Sequence, residues 1–333
     1  MTTATDMPPI LDTTAVPPLD GALPLPQWGL IRARGADAAK FLHGQLTQDI
    51  ALLGLSEARL AAFCSPKGRM LASFVGFKLA ADDLLLACRR DLLPTTLKRL
   101  SMFVMRAQCK LTDASAEFDL YGVAGPSAEQ LGSAAGLGPA TWAKASLPGN
   151  AGTCVRLPAA GAAPAQGVER LLVCVPVGAP LPLAMPILPP AAWDWLEIQS
   201  GVAIIGQALT EAFVPQMLNY ESVGGVNFKK GCYPGQEVVA RSQFRGTLKR
   251  RTYRVAASMP VSAPLTVGQE VFHSSDAEQA CGTVVAAAEW AGQVQALVSM
   301  TTSASDSGQL TAQSPQGPAL TVLTLPYTLL ADV

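Results

Sequence analysis

Lys229-Lys230-Gly231-Cys232-Tyr233-Pro234-Gly235-Gln236-Glu237 is the densest run of unusual residues in this chain of 333. Tyr233-Pro234-Gly235-Gln236 places Pro and Gly at the two central positions of a type II turn. Beyond the turn, Glu237, Arg241 and Arg245 recur at every fourth residue, which predicts a helix over 236–245 with favourable charge pairs and Gly246 as its cap. Cys232 is thereby put on a Gly-flanked loop, beside two lysines and just ahead of a helix N-terminus. Such surroundings favour the thiolate, the reactive form of cysteine. The alternative is an inert small hydrophobe, as most free cysteines are.

Charge changes sharply around this run. Between residues 229 and 254 there are eight basic residues and one acid, Glu237, a local balance of +7, although the whole chain carries 24 Lys+Arg against 25 Asp+Glu. No Lys or Arg follows Arg254, while six acids do. That break predicts a domain boundary near 247–255. Past it, the runs 252–256, 270–272, 282–287, 293–300 and 320–325 are short, rich in Val, Leu and Thr, and separated by turn residues, which predicts a small antiparallel barrel.

Upstream the periods are mixed. Residues 36–50 place Phe41, Leu42, Gln45, Leu46 and Asp49 at helical offsets, and 91–102 repeats that period. Runs 59–64 and 69–77 read as strands joined by the turn Ser65-Pro66-Lys67-Gly68, with further strands at 109–112 and 118–123. Antiparallel pieces without regular βαβ alternation indicate an α+β fold.

Several classes are excluded. Residues 171–193 form an uncharged stretch of 23, but six prolines break it, so it reads as a strand over 171–175 and an irregular connection rather than a membrane span. The first 26 residues hold six prolines, three acids and no base, which fits neither a secretory nor a mitochondrial leader and predicts a disordered lead. Seven scattered cysteines without C-x-x-C indicate a reducing compartment, the cytoplasm. His43 and His273, far from any second ligand, read as packing residues, and no metal site is expected. There is no G-x-S-x-G elbow and no glycine-rich nucleotide cradle.

Lys230-Gly231-Cys232-Tyr233-x-Gly235-Gln236-Glu237 resembles the K-G-C-x-x-G-Q-E signature of the YgfZ family of folate-binding proteins, relatives of the glycine-cleavage T-protein. Gly35-Ala36-Asp37 through Phe41-Leu42-x-Gly44-Gln45-x-Thr47-x-Asp49 is similar to that family's first helix, and Lys67-Gly68-Arg69-Met70 to its Lys-Gly turn. Pro215-Gln216-x-x-Asn219 and Gly224-Gly225-Val226-x-Phe228 resemble the approach to the signature. The likeness is specific over 28–75 and 193–251.

The resemblance implies an α+β, three-lobed, ring-like aminomethyltransferase-type fold with a C-terminal antiparallel β-barrel. Its division would be a lead over 1–26, a folate-binding lobe of 27–115 with 193–246, a second lobe of 116–192, and the barrel over 247–333. It further implies that tetrahydrofolate or a derivative binds in the central hole against Trp28, Trp193, Gly231, Tyr233, Gly235, Gln236, Glu237 and Arg241. Trp195 reads as the core member of its neighbouring pair. Cys232 would be the reactive thiol, with Lys230 beside it, and the partners would be iron–sulfur client proteins or assembly factors, among them one that modifies tRNA.

Whether a reaction is catalysed stays open. The T-protein carries a carboxylate in its second strand region, and residues 68–77 here have none, so folate binding is favoured over aminomethyl transfer. A folate-dependent one-carbon transferase using another acid, Asp49 or Glu197, is the first alternative. The second is an RNA-binding module built on Lys249-Arg250-Arg251. Few aromatics (Tyr233, Phe244, Tyr253) interleave with those bases and no residue after Arg254 is basic, which argues against direct nucleic-acid binding.

Overall fold

The computed structural model describes residues 18–161, 167–244, 248–258 and 264–330. The chain runs through β1 (Gly21–Pro24), β2 (Trp28–Arg34), α1 (Ala38–His43), β3 (Ala58–Cys64), β4 (Met70–Ala80), β5 (Asp83–Arg89), α2 (Leu93–Ser101) and β6 (Lys110–Asp113). It continues through β7 (Phe118–Ala124), α3 (Pro126–Ala134), β8 (Lys144–Ser146), β9 (Thr153–Arg156), β10 (Arg170–Pro176), α4 (Pro190–Gln199) and α5 (Gln236–Phe244). The last part is β11 (Arg250–Ala257), β12 (Glu270–His273), β13 (Asp276–Trp290), β14 (Gln293–Thr301), β15 (Leu310–Ala312) and β16 (Ala319–Leu323).

These strands make two five-stranded sheets, ordered β3-β4-β5-β2-β6 and β1-β7-β10-β9-β8, and a closed barrel ordered β11-β14-β13-β12-β15-β16. The fold is thus α+β with a six-stranded antiparallel C-terminal barrel. The five runs expected beyond residue 250 are all strands, and β15 is an additional one that its three residues were too short to announce.

The first sheet is buried on both faces, which is why its strands read as nearly continuous apolar runs. Leu30, Leu85 and Ala87 pack between the two sheets against Leu120, Leu172 and Cys174. Their alternating neighbours Ile31, Leu84, Leu86 and Cys88 face the other way, against Ile198, Ile205, Phe213, Tyr220 and Val239 and the barrel residues Val285 and Leu297. Each such aliphatic side chain contributes about 1.5–3 kcal/mol on burial. The segment that carries the cysteine loop is thereby fixed to the outer face of this sheet.

Two expectations are corrected. The lead does not extend to residue 26, because Gly21–Pro24 is an ordered strand paired with β7. Its proline is tolerated because β1 is an edge strand, and Leu23 and Leu25 are buried between the sheets. The helix expected over 36–50 ends at His43. Leu46 instead makes an isolated bridge to Phe63, and Thr47 exchanges hydrogen bonds with Ala62, its N–H to the Ala62 carbonyl and the Ala62 N–H to its hydroxyl. Leu46 and Ile50 still reach the core, from extended chain rather than from a helix face.

Residues 171–193 supply most of β10, an irregular Pro-rich link and the first turn of α4. Among the described residues, no helix is long and apolar enough to cross a membrane.

Candidate functional site

The turn predicted at Tyr233–Gln236 is formed: Gly235 has φ +81°, and the Gln236 N–H donates to the Tyr233 carbonyl at 3.2 Å. α5 follows at once, and Arg241 pairs with Glu237 one turn away on its exposed face. Arg245 and Gly246, expected to end that helix, lie outside the described residues.

Two glycines lock this loop to the hairpin turn between β3 and β4. A Cβ on Gly235 would lie 2.4 Å from the Ser65 carbonyl oxygen and 2.7 Å from Gly68 Cα, and one on Gly68 would lie 2.9 Å from Val238 Cβ. Gly68 also has positive φ, +70°. The Lys-Gly turn and the cysteine signature, distant in sequence, are one interlocked pair of turns.

Lys230 supplies the second anchor. It is buried, and its Nζ donates to the carbonyls of His43 at 2.5 Å and Leu46 at 2.9 Å. The ammonium lies 4.6 Å from the centre of the Tyr233 ring, itself buried, an arrangement that favours a cation over the aromatic face. Burial pulls the Lys230 amine down to about 8, partly opposed by the charges of Asp49 and Cys232. Burial likewise pushes the Tyr233 phenol up. Lys230 and Tyr233 therefore hold the loop from beneath, while Gly231 and Cys232 are exposed above it.

His43 is brought to this loop, which its isolated place in the sequence did not announce. Its Nδ1 bonds Asp49 Oδ1 at 3.0 Å, and its Nε2 lies 3.5 Å from where a Cβ on Gly231 would project. Burial would raise the Asp49 carboxyl, but the Leu52 N–H, His43 and Arg59 together hold it below the ordinary range.

The cysteines separate into two groups. Burial pushes Cys64, Cys88 and Cys174 up to about 12 and Cys154 up to about 11, and it raises Cys109 and Cys281. Cys232 is the exposed one of the seven.

Trp28 and Trp193 are together, but in the cluster between the two sheets rather than in the one that holds the loop. Trp193 is 1% exposed, more deeply buried than Trp195 at 8%, so the core member of that pair is the one not expected. Gly122 lies against the Trp193 ring, where a Cβ would come within 2.7 Å, and the Arg170 guanidinium is 5.3 Å from the ring centre. Over Trp28 the corresponding cation is Arg89, also at 5.3 Å, which pairs with Glu197 at 2.6 Å. Both indole N–H groups are buried without a hydrogen-bond partner. Both donors are left for a polar acceptor, whereas the ring faces are occupied by protein.

The acids that could replace the missing strand carboxylate are engaged, Asp49 with His43 and Glu197 with Arg89. The basic cluster is divided: Lys230, Arg251 and Arg254 are buried, and Arg251 pairs with the buried Glu221 at 2.5 Å. Lys229, Arg241 and Lys249 are exposed and Arg250 is half-buried, while Arg245 lies outside the described residues.

A closed antiparallel barrel joined to two five-stranded sheets is an aminomethyltransferase-type fold, and here it carries one anchored, exposed thiol. The glycine-cleavage aminomethyltransferase T of Bartonella henselae has this fold, with a TM-score of 0.70 and 15% identity over 92% of this chain and 86% of that one. No protein-family model matches the chain. Among curated proteins it is 30% identical over 313 residues to the "tRNA-modifying protein YgfZ" of Photorhabdus laumondii, covering 92% of both chains. It is 32% identical over 258 residues to the Vibrio vulnificus protein of that name, covering 76% of this chain and 74% of that one. The match to the Sodalis glossinidius protein of that name is 29% identical over 324 residues. The chain belongs to the YgfZ family.

Proposed function

We propose that this chain binds a tetrahydrofolate and serves the synthesis or repair of iron–sulfur proteins, tRNA-modifying enzymes among them, with Cys232 as its working thiol. The observation that carries the reading is the selectivity among cysteines: six thiols are raised by burial, and Cys232 is exposed on a doubly anchored loop. Reaction with an electrophile from solvent is thereby directed to Cys232. The relatives' name supports a connection to tRNA modification, and the fold supports a folate.

A bound tetrahydrofolate would supply a reduced pterin able to carry one-carbon units. Trp28 and Trp193 would donate their orphan N–H groups to it, and Arg89 is the side chain that has to leave the Trp28 face for a flat ring to reach it. On the loop, Tyr233 and Gly235 hold the backbone, which leaves Gly231, Gln236, Glu237 and Arg241 to border a ligand. Lys229 and Arg241 add positive charge that attracts a glutamate tail.

Titrating tetrahydrofolate against intrinsic tryptophan fluorescence tests the ligand. Saturable quenching is expected in the wild type and a smaller amplitude in Trp28→Phe, with thermal unfolding confirming that the variant is folded. No quenching in the wild type would remove the folate reading. For the thiol, Cys232→Ala is expected to fold normally and to fail in restoring iron–sulfur enzyme activity to cells that lack the protein; full restoration would remove Cys232 from the function.

A further inference from the structure

We propose that His43, oriented by Asp49, is the proton acceptor that makes Cys232 nucleophilic, an inference that rests on the reading of Cys232 as the working thiol. A carboxylate only accepts, and Asp49 Oδ1 receives both His43 Nδ1 at 3.0 Å and the Leu52 N–H at 2.9 Å. The proton of the neutral imidazole is therefore on Nδ1, and Nε2 keeps its lone pair. That nitrogen faces the loop beside Gly231, the residue before Cys232, where a side chain would approach it at 3.5 Å. Glycine leaves the space between imidazole and loop open.

The two partners are also fixed relative to one another. Lys230 Nζ holds the His43 carbonyl while the Lys230 backbone leads directly into Gly231 and Cys232, so the base and the thiol share one anchor. Arg59 Nη1 donates to the Asp49 carbonyl at 2.9 Å and steadies the carboxylate residue from behind. The charged or titratable groups around the imidazole are thus Asp49, Arg59, Lys230 and Tyr233. In the step, the Cys232 S–H bond breaks, its proton passes to His43 Nε2, and the electron pair stays on sulfur. The imidazolium so formed is paired with the Asp49 carboxylate. The thiolate then attacks an electrophilic centre, and one bond to Sγ forms as the leaving group departs with its electrons. Acid–base assistance of this kind is worth on the order of 10²-fold or more.

Alkylation by iodoacetamide at pH 7, followed through the mass of the Cys232 peptide, tests this without any ligand. Carbon–sulfur bond formation displaces iodide, so the probe reports the thiolate alone. Wild-type Cys232 is expected to react at least ~10-fold faster than glutathione, and His43→Asn, whose amide still reaches Asp49, to lose most of that advantage while its thermal midpoint is kept. Asp49→Asn should lose it in part, and added imidazole should accelerate His43→Ala more than the wild type. A His43→Asn protein that reacts as fast as the wild type would overturn the role of His43 while leaving Cys232 intact as the working thiol. A wild type no faster than glutathione would overturn both.

Discussion

Lys230 shows how one residue does structural work inside a motif that reads as chemical. Its amine titrates near 8 in the folded chain against 10.5 when free, because burial disfavours the charge. Between those values the unfolded chain binds more protons, so this group's contribution to stability grows as pH rises from about 8 to 10.5, and below 8 the full penalty stands. Lys230→Met should therefore fall increasingly behind the wild type in urea midpoint through that window. Under all conditions it should also lose about 1–3 kcal/mol because two carbonyls lose their donor. A difference independent of pH would show that the amine is not held in a desolvated place. Arg241→Ala is the contrasting case: its partner Glu237 is exposed, so the pair should contribute no more than about 0.5 kcal/mol, and any larger effect of this variant on tetrahydrofolate titration belongs to the ligand.

Among the elements, the two interlocked turns matter more than either neighbouring helix. Gly235→Ala places a side chain at φ +81° and within 2.4 Å of the Ser65 carbonyl. A cost above about 2 kcal/mol is expected in denaturant unfolding, together with slower alkylation of Cys232 as the loop is displaced. Proline, glycine and period announced both turns, because their chemistry is local. The same kind of reading extended α1 to residue 50, since Leu46 and Ile50 keep a helical spacing although they reach the core from extended chain. It also hid β1, whose proline, in a Pro-rich stretch, read as disorder until its edge position made it acceptable. Least legible was His43: its partners, Asp49 and the loop at Gly231, are chosen by packing across the molecule, and a single histidine carries no periodic signal.

At the scale of the molecule, the barrel is joined to the rest through buried polar contacts as well as apolar ones. Arg251 on β11 pairs with Glu221, whose side chain is fully buried, and donates to the Leu330 carbonyl at 2.7 Å. Arg251→Met alone should cost about 3–5 kcal/mol by stranding a buried carboxylate, whereas the double variant with Glu221→Met should recover most of it; equal losses in the two proteins would deny the pair that role. The composition break near 250 marked where the barrel begins, but it did not show that its first arginines turn inward. The seat of Gly235 on Gly68 has a last consequence, for the order of assembly. Hairpin β3–β4 forms from neighbouring residues, whereas the cysteine loop can dock only after most of the chain has been synthesised and the sheet beneath it is complete. A nascent or truncated chain therefore carries the thiol without its anchors, and reactivity at Cys232 becomes a late property, acquired when folding is nearly finished.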